Sequence, residues 1–70
     1  MPLIQATIIA GRTLEQKNAF FEKVTAVAVE TLGVKPEQVR VVINEVPAEH
    51  WAIGGVSKAV IDAQKAAQGS

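Results

Sequence analysis

The chain has no cysteine, no tyrosine and only three aromatic residues among its 70 positions. Without cysteine it has neither a disulfide framework nor a thiolate metal site. Seven basic residues balance seven acidic ones, and this zero net charge argues against a nucleic-acid binder or a polybasic membrane anchor. No apolar run approaches the roughly 20 residues of a membrane span, and the N-terminus lacks a signal-peptide pattern. We therefore expect a cytoplasmic protein that binds neither nucleic acid nor membrane.

The composition indicates a folded protein that associates with copies of itself. Hydrophobic residues make up 49% and charged residues 20% of the chain, which is typical of globular proteins. A chain of this length buries only about 60% of its unfolded surface, so a core built by one chain is marginal. We expect residues 1–70 to form one domain whose excess aliphatic surface is covered in a homo-oligomer.

The first half of the chain predicts a strand followed by a long helix. Residues 3–9 are rich in β-branched side chains and alternate partly in polarity, as a strand does. Thr13 and Gln16 match a capping box, which predicts a helix from about Leu14, and Gly33 is expected to end it. The residues expected to form the apolar face of this helix are Phe20, Val24, Val27, Ala28, Thr31 and Leu32.

The second half predicts a second strand and a C-terminal arm. Residues 39–46 complete a βαβ unit, so we expect an α/β fold with parallel strands and a right-handed crossover. Residues 47–51 predict a loop and residues 52–55 a tight hairpin or bend. An extended arm and a frayed helix are expected over 56–67, with a mobile tail from about 62–70. Two parallel strands leave open edges and a bare face, so oligomerisation is expected to complete the fold.

Pro2 is the first candidate for chemistry. An initiator methionine before a small residue is ordinarily removed, and the mature chain would then begin with a secondary amine. Burial beside cations lowers the pKa of such an amine below the usual value of about 7.7–8.0, which makes it a general base at neutral pH. Taken alone, proline at position 2 is a weak signal and is far more often an ordinary second residue. If Met1 is retained, the Pro2 nitrogen is an amide, and the chain is a non-catalytic oligomeric scaffold.

Arg12, Arg40 and Trp51 are the candidate ligand-binding residues. The two arginines are the only ones beside five lysines. A guanidinium grips a carboxylate through two parallel hydrogen bonds, whereas lysine acts as a point charge; a surface salt bridge is the alternative role for each arginine. Trp51 is expected to be an interface anchor or a pocket wall. His50 is the only histidine, so no metal site is expected.

The order and spacing of several short motifs resemble the 4-oxalocrotonate tautomerase family, the short members of the tautomerase superfamily. These motifs are Met1-Pro2, Gly-Arg-Thr-x-Glu-Gln-Lys over 11–17, Val-Arg-Val over 39–41, and an aromatic followed by Ile-Gly-Gly within 49–55. Each motif is common alone, but together they span roughly residues 2–60 and make the resemblance specific.

The resemblance implies a cofactor-independent tautomerase whose catalytic base is Pro2. It implies that Arg12 holds one substrate carboxylate, and that Arg40 from a neighbouring subunit binds a carboxylate and polarises the adjacent oxygen. Trp51 stands where relatives usually carry the phenylalanine that walls the site. The implied substrate is a small anionic enol or keto acid such as 2-hydroxymuconate, with no metal or organic cofactor. The implied assembly is a homohexamer, a trimer of dimers.

Hydration or dehalogenation of a 3-haloacrylate-like acid is the alternative reaction within the same superfamily. There the proline acts as an acid and a carboxylate activates water. The relatives that do this carry a glutamate two residues after the loop aromatic, where this chain has Ile53. An aliphatic side chain does not accept a proton, so tautomerisation is favoured.

Overall fold

The computed structural model describes residues 1–68 as a βαβ unit followed by a β-hairpin and a second helix. The elements are β1 (Leu3–Ile9), α1 (Leu14–Leu32), β2 (Arg40–Val46), β3 (Ala52–Ile53), β4 (Val56–Ser57) and α2 (Lys58–Gln68). Two short 3-10 turns precede β2 and β3, at Pro36–Gln38 and Ala48–His50. β1 pairs with β2 in parallel and β3 pairs with β4 antiparallel, which confirms the predicted α/β fold with a C-terminal hairpin.

β1 and β2 run side by side over their full length. Leu3 lies opposite Arg40, and Ile9 lies opposite Val46. The ladder extends one residue further, since the Arg40 N–H donates to the Pro2 carbonyl at 3.0 Å. Both strands therefore start at the same end of the sheet, and the boundary formed by their first residues is here called the Pro2 edge. Their last residues form the opposite edge, about 20 Å away along the strands.

The second strand begins one residue later than the β-branched pattern predicts. Val39 is extended, but its N–H donates to the Pro36 carbonyl at 3.1 Å and so belongs to the preceding turn. Its backbone donor is therefore used before the parallel ladder with β1 begins at Arg40.

Local hydrogen bonds set the start of α1 as the sequence predicts. The Gln16 N–H donates to the Thr13 hydroxyl at 3.1 Å, and the Thr13 N–H donates to the Gln16 side-chain oxygen at 2.9 Å. These reciprocal bonds satisfy two amide groups that a helix N-terminus otherwise leaves unpaired. At the other end, the Gly33 N–H donates to the Val29 carbonyl at 3.2 Å.

The face of α1 that packs inward differs in part from the predicted apolar stripe. Ala28 is 3% exposed, and among the described residues it is the one buried hydrophobic residue. Val27 and Leu32, which the stripe included, are instead 58% and 62% exposed. Val27 lies about 100° around the helix axis from Ala28, on a flank that the chain's own sheet does not cover. The half-buried residues around Ala28 are Phe21, Val24, Thr25 and Val29.

The C-terminal hairpin turns at two glycines. Gly54 and Gly55 have φ angles of 61° and 86°, the pair of positive values that a tight two-residue hairpin turn requires. β4 then leads directly into α2, where the Ser57 hydroxyl accepts from the Val60 N–H at 3.3 Å. Residues 62–68 belong to this helix, whereas residues 69 and 70 lie outside the described part of the chain. The mobile tail over 62–70 stays a prediction.

One chain has an extended shape and a large surface. Its radius of gyration is 16.3 Å, against about 11 Å for a compact chain of this length. Its accessible surface is 5338 Å², against about 4200 Å² for a folded monomer of this mass. Large apolar side chains left exposed include Leu3, Phe20, Val27, Val42, Ile53 and Val60. Within residues 1–68, neither helix is long and apolar enough to cross a membrane.

The capping box generates a stability prediction. Replacing Thr13 by alanine removes a hydrogen bond at the helix N-terminus and is expected to lower the free energy of unfolding by about 1 kcal/mol. Thr31→Ala is the matched control, because the Thr31 hydroxyl only donates back to the Val27 carbonyl in the same helix and alanine favours helix. Denaturant unfolding at one fixed protein concentration measures both. Equal stability of the two variants would contradict the assignment of the cap.

Candidate active site

The Pro2 edge brings two of the predicted residues together. Pro2 is half-buried, and its carbonyl accepts the Arg40 backbone N–H at 3.0 Å. The Arg40 guanidinium is turned toward the preceding turn, where Nη1 donates to the Glu37 carbonyl at 2.5 Å and is 3.4 Å from the Val39 carbonyl. Met1 projects from this edge and is 81% exposed. An N-terminal group and a guanidinium thus lie at the same edge of one sheet.

Arg12 lies beyond the opposite edge, just after β1. Gly11 makes the change of direction between strand and helix possible, since its φ of 131° is one that residues with a side chain rarely adopt. Within residues 1–68, the Arg12 side chain makes no hydrogen bond or ion pair. Its guanidinium is therefore available to an anion. It borders a cavity of about 260 Å³ whose lining residues are Ile8, Arg12, Gln16, Lys17, Phe20 and Ile43.

A salt bridge beside this cavity was not anticipated from the sequence. Lys17 Nζ lies 2.8 Å from Glu45 Oε1, and the two side chains are 24% and 33% exposed. The pair ties the first turns of α1 to the end of β2 and so fixes one wall of the cavity. Lys17 and Glu45 are 28 residues apart, so their pairing leaves no local signal in the sequence.

Trp51 follows the carboxyl end of β2, and Arg12 follows the carboxyl end of β1. Because the two strands are parallel, both residues come after the same end of the sheet. Trp51 is half-buried, and its backbone joins the 3-10 turn to the hairpin. The Trp51 N–H donates to the Ala48 carbonyl at 3.3 Å, and its carbonyl accepts from the Lys58 N–H at 2.6 Å. The neighbouring His50 is exposed. In the described part of the chain, no group of three or more histidine or carboxylate side chains is arranged to hold a metal ion.

A single chain therefore separates the four predicted residues into two pairs. Pro2 and Arg40 lie at one edge of the sheet, and Arg12 and Trp51 follow the other. Seven paired residues span about 20 Å between the edges, which is longer than a small dicarboxylic acid. One chain alone does not gather all four side chains around one small molecule.

Comparison with known proteins places the chain in a family. The model of the tautomerase enzyme family matches residues 2–61. A probable tautomerase of Ralstonia nicotianae is 57% identical over 58 residues, which cover 83% of each chain. The 2-hydroxymuconate tautomerase of Comamonas testosteroni is 49% identical over 57 residues, which cover 81% of this chain and 90% of that enzyme. The chain belongs to the tautomerase family, and it is an isomerase.

Solved structures agree with this assignment. A 4-oxalocrotonate tautomerase isozyme from Methylibium petroleiphilum superposes with a TM-score of 0.87 at 41% identity, covering 90% of this chain and 98% of that one. A heterohexameric 4-oxalocrotonate tautomerase from Chloroflexus aurantiacus superposes with a TM-score of 0.81 at 39% identity, covering 84% and 95%. The resemblance read from the sequence motifs is thereby confirmed, together with the fold.

The salt bridge beside the cavity generates a second prediction. Glu45→Gln is expected to lower the free energy of unfolding by about 1 kcal/mol, because it removes a partly buried ion pair that joins a helix to a strand. Asp62→Asn is the matched control, since the Lys58–Asp62 pair spans one turn of α2 and Asp62 is more exposed. That variant is expected to lose less than about 0.5 kcal/mol. A loss for Glu45→Gln no greater than for the control, in denaturant unfolding, would show that the pair does not brace the cavity.

Proposed function

We propose that this protein is a cofactor-independent tautomerase whose catalytic base is the amine of Pro2, exposed when Met1 is removed. The observation that carries the proposal is the place of Pro2 at the start of the region that matches the tautomerase family, residues 2–61, at the end of the sheet where β2 begins. The exposure of Met1 supports removal, since an aminopeptidase needs access to the terminal residue. The proposed substrate is a small anionic enol or keto acid. 2-Hydroxymuconate is the first candidate, by similarity to the Comamonas testosteroni enzyme.

The proposed reaction moves one proton. The neutral Pro2 amine takes the proton from the enol hydroxyl, and the electron pair of the O–H bond becomes the second bond of the carbonyl. The electron pair of the adjacent carbon–carbon double bond moves along the conjugated chain and forms the new C–H bond with the proton that the Pro2 ammonium returns. Cations near the amine disfavour its protonated form, which keeps the base neutral at pH 7. Charge that develops on oxygen is met by Arg40 of a neighbouring chain, as the family resemblance implies, an interaction worth about 3–4 kcal/mol in a site closed to water.

Arg12 is proposed to hold a carboxylate of the same substrate, and it must then come from a second chain. Its guanidinium has no partner within residues 1–68, but it lies beyond the sheet edge opposite Pro2. Trp51, which follows the same edge, is proposed to form an apolar wall. Ile53 occupies the position where hydrating relatives carry a glutamate and has a 58% exposed aliphatic side chain, which does not favour the hydratase alternative.

The proposed assembly is a homohexamer built as a trimer of dimers. It is supported by the exposed apolar flank of α1 around Val27, by the exposed sheet face around Val42 and by the extended shape of one chain. Burial of such surfaces contributes about 25 cal/mol per Å², so association supplies the core that a single chain lacks. The Chloroflexus aurantiacus relative is described as a heterohexamer, so a second subunit type is the other arrangement to test.

Intact mass and one substitution test the role of Pro2. The purified protein is expected to lack the mass of one methionine. Pro2→Ala is expected to lower kcat/KM for ketonisation of 2-hydroxymuconate by at least about 100-fold, because it removes the secondary amine that serves as base. Pro47→Ala makes the same substitution at an internal proline after β2, where no amine is involved, and is expected to keep wild-type kinetics. A retained Met1 in an active protein, or wild-type turnover by Pro2→Ala, would overturn the proposal.

Mixing two inactive variants tests whether the site is shared. Pro2→Ala and Arg12→Gln are each expected to form inactive homo-oligomers. After joint dissociation and reassembly in equal amounts, about one quarter of sites draw both intact residues from different chains and regain activity. Reassembly of each variant alone is the control. Persistent inactivity of the mixture, when wild type recovers fully from the same treatment, would show that Pro2 and Arg12 do not meet across an interface.

A further inference from the structure

The guanidinium of Arg40 is held by the turn that precedes its strand. Nη1 donates to the Glu37 carbonyl at 2.5 Å, with a longer contact of 3.4 Å to the Val39 carbonyl. A guanidinium has five N–H donors, so these contacts leave the other donors for a ligand carboxylate. A side chain fixed in this way loses less rotational freedom when a ligand binds. The turn around Glu37 thus determines where the free donors of Arg40 are presented.

The side chain of Gln38 closes this turn. Its amide oxygen accepts from the Lys35 N–H at 2.9 Å, and the Gln38 N–H donates to the Lys35 carbonyl at 2.9 Å. A third bond, from the Val39 N–H to the Pro36 carbonyl at 3.1 Å, completes the 3-10 turn. Pro36 contributes a fixed φ at the first position of the turn. Hydrogen bonds on both sides of Glu37 therefore hold the segment whose carbonyl accepts from Arg40.

The hydrogen bonds continue from this turn to the Pro2 edge. The Arg40 side chain bonds to the turn, while its backbone N–H bonds to the Pro2 carbonyl. Gln38 itself is exposed, and the structure gives its side chain one hydrogen bond, the one that closes the turn. Gln38 is neither part of the core nor part of an ion pair, so its contribution is to hold the Lys35–Val39 segment in its conformation.

We infer that Gln38 is a positioning residue for Arg40: its amide oxygen fastens the turn whose Glu37 carbonyl orients the guanidinium. This inference rests on the proposed role of Arg40 in the tautomerase reaction. Glutamine is suited to this role because its amide oxygen accepts from the Lys35 N–H at 2.9 Å.

Three variants at two exposed glutamines test the inference by steady-state kinetics. Gln38→Met has a similar length but no acceptor, and it is expected to lower kcat/KM about tenfold, mainly through kcat, because the guanidinium is no longer aligned. Gln38→Glu keeps an acceptor for the Lys35 N–H and is expected to stay within about threefold of wild type. Gln64→Met repeats the first substitution on α2, away from the turn, and is expected to leave kcat and KM unchanged. Native mass and thermal unfolding verify that all variants assemble.

A double-variant cycle separates positioning from a general structural effect. In an Arg40→Gln background, Gln38→Met is expected to cause no further loss, since its effect passes through Arg40. If Gln38→Met fails to assemble, Pro36→Ala loosens the same turn without removing a hydrogen bond and is expected to lower kcat in the same direction.

The outcomes distinguish this inference from the proposed function. Wild-type kinetics for Gln38→Met, equal losses for Gln38→Met and Gln38→Glu, or additive losses in the cycle would overturn the positioning role alone. If the wild-type protein turns over no enol acid, or if Arg40→Gln is fully active, the proposed function fails first and the inference fails with it.

Discussion

The parallel pairing of β1 with β2 is the interaction on which the rest of the structure depends. Its register sets Leu3 opposite Arg40, and this brings Arg40 to the residue that would become the N-terminus, Pro2. The same register sends the chain to the opposite edge before Arg12 is reached. Because both strands of one chain run in the same direction, a helix must connect them, and Arg12 stays at the far edge. A site that uses both arginines is therefore a property of two or more chains.

The small size of the chain imposes the same requirement. α1 covers one face of a two-stranded sheet, and among the described residues Ala28 is the single buried hydrophobic residue. The apolar surfaces around Val27 and Val42 remain in contact with water until another chain covers them. The hydrophobic effect is non-directional, so it does not determine how two chains are oriented. The backbone pairing between the sheets of different chains must determine that orientation. In the proposed assembly, the contacts that complete the core also bring the two sheet edges of different chains together.

Features fixed by neighbouring residues could be predicted from the sequence, whereas features fixed by packing could not. The capping box of Thr13 and Gln16, the parallel strands and the glycine hairpin all have local signals, and the structure contains each of them. The prediction of the inward face of α1 is partly wrong. Val24 and Val27 are the same residue type, and only the rotation of the packed helix makes Val24 half-buried and Val27 exposed. The bond from Arg40 to the Glu37 carbonyl was not predicted either, since backbone acceptors leave no trace in side-chain patterns. The chemical roles of Pro2, Arg12, Arg40 and Trp51 stay predictions.

A structure of the assembled protein with a bound dicarboxylate inhibitor tests the central claim most directly. We expect the chain to begin at Pro2, its free amine to face the inhibitor, and Arg12 of another chain to bind a carboxylate of the same inhibitor. An inhibitor bound within one chain, or bound across chains without Arg12, would contradict the proposal that the site is shared.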